Sequence, residues 1–179
     1  MNENNEFDYT VAKKVEGKYL LHRMLMIFGY VVFGAVYFFG MAIAHLYPLM
    51  AFIVLIEWIL IFFTWRFVSI EYRYETVSGG IKFYNVFGGK KKKLLLEMRI
   101  KEFEEISPLD AESKARILGM GLDKSYSFAR SENDDTDKYF AIFKDKDGKS
   151  CIVYFEATEQ ALKILRFYNS KTTVVKTRY

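Results

Sequence analysis

Between Met24 and Phe63 the sequence holds one ionisable acid or base apart from His45, and it is Glu57. From Arg66 onward, charged residues recur every few positions. The mean hydropathy of +0.00 over 179 residues therefore averages two different populations. A composition shift this sharp reads as a solvent boundary, with lipid on one side and water on the other. The first uncharged run, Met24 to Leu46, has 23 residues. At 1.5 Å per residue it reaches roughly 34 Å, enough for the hydrocarbon core of a bilayer. Tyr47 and Pro48 interrupt it, and a second, shorter run extends from Leu49 to about Trp65.

Glu57 is the obstacle to insertion of the second run. Eleven Leu, Ile, Val and Phe residues between Leu49 and Phe63 contribute about −3 to −7 kcal/mol in total, against about +2.5 to +3.5 kcal/mol for a central charge. Insertion wins by this count. Buried helices of a soluble core would be expected to be amphipathic, whereas these runs are apolar all round. Ala42-Ile43-Ala44 looks like a signal-peptidase site, but the run is too long for a signal peptide and a second run follows at once.

The flanks set the expected orientation. Lys13, Lys14, Lys18 and Arg23 precede the first run, and Arg66, Arg73 and Lys82 follow the second. The link around His45-Leu46-Tyr47-Pro48 has no Lys or Arg. The positive-inside rule then predicts a multi-pass cell-membrane protein with both termini cytoplasmic. The expected organisation is a cytoplasmic segment 1–23, a transmembrane hairpin 24–67, a cytoplasmic domain 68–170 and a flexible tail 171–179.

From Val68 the apolar period becomes two. Val68, Ile70, Tyr72 and Tyr74 alternate with Ser69, Glu71, Arg73 and Glu75, which predicts a half-buried strand. Ser78-Gly79-Gly80 turns the chain into a second strand with Ile81, Phe83 and Phe87 on one face. Gly88-Gly89 and four lysines form the next turn, and Leu94, Leu96, Met98 and Ile100 alternate on a third strand. Phe103–Ile106, Tyr126–Ala129, Tyr139–Phe143 and Cys151–Phe155 complete about seven, the last two joined by Asp145-Lys146-Asp147-Gly148. A short helix is expected from Asp110, its N-cap, to Leu118. A C-terminal helix is expected from Thr158 to Asn169, with Ala161, Ile164, Leu165 and Tyr168 on one stripe.

Certain stretches carry a resemblance: Glu71-Tyr72-Arg73-Tyr74-Glu75, Gly80-Ile81-Lys82-Phe83, Gly89-Lys90-Lys91-Lys92-Lys93 and Tyr154-Phe155-Glu156. The chain resembles uncharacterised bacterial membrane proteins with two transmembrane helices and a pleckstrin-homology-like (PH-like) domain. The resemblance implies a membrane α-helical hairpin followed by an α+β domain. That domain would be a PH-like barrel or sandwich of about seven antiparallel strands with a C-terminal capping helix. It implies membrane location and no activity. The first hairpin turn, Ser78-Gly79-Gly80, lacks the basic residues that phosphoinositide-binding PH domains often place there.

Few residues invite a chemical role. An ionisable group within a span is a functional candidate, and a hairpin centred near Tyr47 sets Glu57 level with Tyr37. Gly40 and Ala44 form a small-xxx-small pair suited to a close helix contact. Lys90, Lys91, Lys92 and Lys93 are expected to face anionic lipid. The strand leaving the second run leads away from the membrane and its partner returns over nearly the same length. Glu132, Asp134, Asp135 and Asp137 lack calcium-loop spacing. Cys151 cannot form an internal disulfide, and no metal site, cofactor site or catalytic constellation can be assembled. The net charge of +4 is interleaved, with no basic arm of the kind that binds nucleic acid. The expectation is a membrane-anchored, non-enzymatic binding or scaffolding module. Its partners would be the lipid bilayer and a homo-oligomer or an unidentified membrane or cytoplasmic protein. The alternative is an oligomeric transport- or sensor-associated subunit using Glu57.

Overall fold

Phe7, Tyr9 and Val11 alternate with Asp8, Thr10 and Ala12, and this period of two makes a strand, β1 (Phe7–Ala12). The structure is a computed structural model and describes residues 7–131, 134 and 137–175. The expected acidic run thus lies partly outside the described residues, at Glu132 and Asp135. The last four residues of the expected tail lie outside them as well.

After β1 come α1 (Gly17–Ile43), α2 (Tyr47–Met50), α3 (Ile53–Thr64) and a 3₁₀ turn, Trp65–Val68. Seven further strands and two helices follow: β2 (Ile70–Val77), β3 (Gly80–Phe87), β4 (Lys91–Arg99), β5 (Phe103–Pro108), α4 (Ala111–Leu118), β6 (Lys124–Phe128), β7 (Lys138–Lys144), β8 (Ser150–Glu156) and α5 (Glu159–Tyr168). The chain divides into two compact units. One comprises residues 1–13, 71–86 and 92–179, and the other comprises residues 14–70 and 87–91.

The first unit is a sandwich of two four-stranded sheets, ordered β1-β2-β3-β4 and β5-β7-β8-β6. Of the two expected arrangements, barrel or sandwich, the sheets make the sandwich. The expectation is corrected in two respects: there are eight strands among the described residues, and one pairing is parallel. A 3₁₀ turn, Ile100–Glu102, separates β4 from β5, and β5 pairs with β7 in the second sheet instead of extending the first. The β7–β8 hairpin occupies one edge of β8, so β6 takes the other edge and runs parallel to it.

The facing sides of the sheets share one apolar core. Tyr74, Ile81, Phe83 and Met98 meet Phe103, Phe143, Cys151, Val153 and Phe155, and Ala161, Leu162 and Leu165 of α5 complete the cluster. Phe83 stacks on Phe128 with ring centroids 4.7 Å apart. The second sheet is covered on its other face too, where Ile117 of α4 packs with Phe140, Ile142 and Ile152. This explains the unbroken apolar run Tyr139–Phe143, since a strand buried on both faces loses its alternation. Cys151 is fully buried, and burial pushes its thiol pKa up, away from the reactive thiolate.

Local chemistry ends the helices where the sequence expects. Asp110 accepts from the Ser113 amide at 2.8 Å and its own amide donates to the Ser113 hydroxyl, a reciprocal cap on α4. Thr158 caps α5 by accepting from the Ala161 amide. After α5 the described part of the expected tail is hydrogen-bonded to the sandwich. Ile106 donates to Thr172 O, and Val174 donates to Ile106 O, each at 2.8 Å. The Thr173 hydroxyl donates to Asn169 O.

The second unit is a helical hairpin. Gly17–Ile43 and Tyr47–Val68 are each long and apolar enough to cross a membrane. α1 begins seven residues before the expected Met24, so its first two turns carry Lys18 and Arg23. Neither apolar stretch is buried. Phe28, Val36, Val54 and Trp58 are 65, 67, 74 and 65% exposed, an apolar surface of the kind that marks a membrane or protein contact.

Candidate functional site

The open end of the hairpin is locked by one tyrosine and one arginine. Tyr19, the buried residue of α1, donates its hydroxyl to Val68 O and accepts from the Ile70 amide at 3.1 Å. Arg23 donates from Nε to the same Val68 carbonyl at 3.1 Å. Its guanidinium lies 5.3 Å from the Tyr19 ring centre and 5.3 Å from that of Trp65. A 3₁₀ turn leaves carbonyls without helical partners, and here side chains of the other helix satisfy one of them. The arrangement fixes where α3 ends relative to α1.

The β3–β4 turn sits on this end. The Gly88 amide donates to Ser69 O at 2.9 Å. A Cβ added to Gly88 would lie 2.8 Å from the Arg66 Cβ, and its φ is +57°, so glycine answers both a steric and a conformational demand. Gly89 also has positive φ, +70°. The turn brings Lys90 and Lys91 into the unit that holds Lys14, Lys18, Arg23 and Arg66. Among the described residues of that unit, Glu16 is the acid at this end, and it pairs with Lys14 at 3.8 Å. Lys18, Arg66, Lys90 and Lys91 are exposed.

Lys92 differs from its neighbours. It donates to Glu75 at 2.7 Å and lies 5.6 Å above the Tyr84 ring. The hydrogen bond from Lys92 holds the Glu75 carboxyl below its ordinary pKa. Lys90, Lys91 and Lys93 make no ion pair among the described residues. Leu94 and Leu95, immediately after them, are exposed.

A second place lies between α1 and α3, where a groove of about 610 Å³ is lined by Tyr30, Gly34, Phe38, Glu57 and Trp65 among others. Glu57 does not face Tyr37. Its carboxyl packs on Gly34, where an added Cβ would collide with Oε1, while the Tyr37 hydroxyl donates to Leu49 O at 2.9 Å. The residue opposite Glu57 is three positions earlier than expected, because the hairpin turns sooner: α1 stops at Ile43 and His45 takes a left-handed φ of +57°. Gly40 has nothing within 4 Å of where its Cβ would be, and Ala44 is the C-cap of α1. The close glycine of this hairpin is therefore Gly34. The sequence offers little to choose it over Gly29 or Gly40, because the register of two apolar helices is set by the turn.

Among the described residues no group of His, Cys, Asp and Glu could hold a metal ion. No curated protein and no solved structure matches the chain. A family model does match, over residues 5–175, and the match runs from β1 through both helices to the last described strand contact. The chain belongs to the bacterial PH-like domain family DUF6106.

Proposed function

We propose that this protein is a membrane-anchored, non-enzymatic PH-like module whose basic turn meets the anionic lipid surface. In this reading both apolar helices span the cell membrane, and the termini and the sandwich are cytoplasmic. The carrying observation is that the Gly88-Gly89 turn is seated on Arg66, directly after the second apolar helix. Lysines on that turn cannot lie far from the headgroups if the helix is inserted. Near an anionic leaflet each basic residue contributes about 1 kcal/mol, falling off within a Debye length of about 8 Å. Lys90, Lys91, Lys93 and Arg66 together would contribute on the order of 3–4 kcal/mol. Lys92, tied to Glu75, shapes the turn instead. Exposed Leu94 and Leu95 beside the lysines suit shallow contact with the interface.

The test uses the full chain in lipid nanodiscs containing phosphatidylserine or phosphatidylcholine alone. Amide exchange of residues 87–95 should be slower on phosphatidylserine, and 0.5 M salt should remove the difference. Replacing Lys90, Lys91 and Lys93 by Gln should remove it too. Equal exchange on the two lipids would leave the lysines as a solvated turn.

A further inference from the structure

Glu57 is a carboxyl group in the middle of an apolar helix, and it makes no hydrogen bond or ion pair among the described residues. In hydrocarbon such a group costs free energy until it finds a partner. Two tyrosine hydroxyls of its own hairpin are engaged elsewhere. The Tyr30 hydroxyl is 2.6 Å from the Thr64 hydroxyl, and the Tyr37 hydroxyl donates to Leu49 O. The groove in which Glu57 sits is open along its length and otherwise mainly apolar.

One residue away, Trp58 stands 65% exposed on the outer side of α3. Its ring stacks on Phe62, with centroids 5.7 Å apart, which fixes its direction. The indole N–H is a donor with no acceptor function, and it too is unsatisfied in lipid. Consecutive residues of a helix differ by about 1.5 Å in height and about 100° in direction. Glu57 and Trp58 are therefore at one depth but on adjacent faces, the first turned into the groove and the second onto its shoulder.

We infer that a second copy of this chain completes the groove, its Trp58 indole N–H donating to the Glu57 carboxyl. Any symmetric assembly with its axis along the membrane normal keeps each residue at its own depth. A donor and an acceptor level within about 1.5 Å are thus in register without adjustment. Because the two faces adjoin on one helix, a two-fold axis beside α3 makes the contact twice, Trp58 to Glu57 and Glu57 to Trp58, and closes the assembly as a dimer. The groove has room for an indole, and Val54 and Phe62, one turn to either side of Trp58, are exposed along the same stripe to pack beside it. This inference rests on the helices spanning a membrane and is independent of the lysine turn.

Dimerisation is read from energy transfer between donor- and acceptor-labelled full-length chains in phosphatidylcholine vesicles. Insertion is checked separately by extraction, which should need detergent for every variant. The parent should dimerise, and Glu57→Gln, which keeps an acceptor, should dimerise as the parent does. Trp58→Phe, which keeps the ring stack, and Glu57→Leu should each raise the dissociation constant by on the order of tenfold or more, since both bonds are lost at once. The double variant should be no weaker than either single one. A monomeric parent, an unaffected Glu57→Leu, or single effects that multiply in the double variant would overturn the proposal. Chains that wash from the vesicles without detergent would instead overturn the membrane reading itself.

Discussion

Tyr74 carries a polar atom into the sandwich core and satisfies it there, donating to Glu156 O at 2.9 Å. The side chain is 3% exposed, and burial, followed by the neighbouring Tyr9, pushes its pKa far above the ordinary tyrosine value. The folded state thus keeps a proton that the unfolded chain releases above about pH 10. The stability Tyr74 contributes is fully present below that pH and falls as pH rises beyond it. Tyr74→Phe should cost about 1 kcal/mol near pH 8, where one hydrogen bond is lost, yet should flatten the decline between pH 8 and 10.5. Denaturant midpoints of the full chain in detergent at the two pH values check this, and parallel declines would refute it. Single residues of this kind were partly legible. The alternation of Cys151, Val153 and Phe155 places the thiol in the core, where it is. That Glu57 packs on Gly34 was not legible, because one residue of drift in the turn moves every cross-helix pair.

At the level of elements, period and caps were informative and pairing was not. Asp110 and Thr158 mark the starts of α4 and α5 through side-chain chemistry that acts over three residues. β1 also has a readable signal, with Phe7, Tyr9 and Val11 on one face, but a strand means little until its partner is known. That partner, β2, begins almost sixty residues later. The parallel β6–β8 pairing has no local signature either. α5 shows what an element contributes once docked. Leu165 is 1% exposed within the shared core, and Asn169 donates to Ile100 O and Phe103 O at 3.1 and 2.9 Å, tying the helix end to the link between the sheets. Leu165→Ala should destabilise the sandwich by about 2–5 kcal/mol. Phe167→Ala on the same helix, where the side chain is 73% exposed, should cost under about 0.5 kcal/mol. Thermal melts of the two variants make the comparison. Similar losses in both would mean that α5 is docked differently.

For the whole molecule, the decisive pairing is β1 with β2, from Phe7 opposite Thr76 to Ala12 opposite Glu71. These strands flank the hairpin in sequence, so the sandwich is one domain interrupted by two apolar helices. An N-terminal segment paired to the sandwich must share its compartment. That requirement is independent of the lysine and arginine count, and both support the proposed topology: if the two apolar helices span the membrane, an even number of crossings keeps the N-terminal strand and the sandwich in one compartment. The positive-inside rule adds which side is which, with Lys14, Lys18, Arg23 and Arg66 near the open end of the hairpin and no Lys or Arg in the turn. The single native cysteine, Cys151, is fully buried and gives little background to thiol labelling. Tyr47 is exposed, so Tyr47→Cys should react with a membrane-impermeant maleimide on intact cells. Lys171→Cys, after α5, should stay silent until the cells are lysed. If Lys171→Cys reacts on intact cells and Tyr47→Cys does not, the orientation is inverted and the basic turn faces the outer leaflet. If both react, the N-terminal strand and the sandwich cannot be paired across an intact hairpin, and the split-domain architecture falls with them.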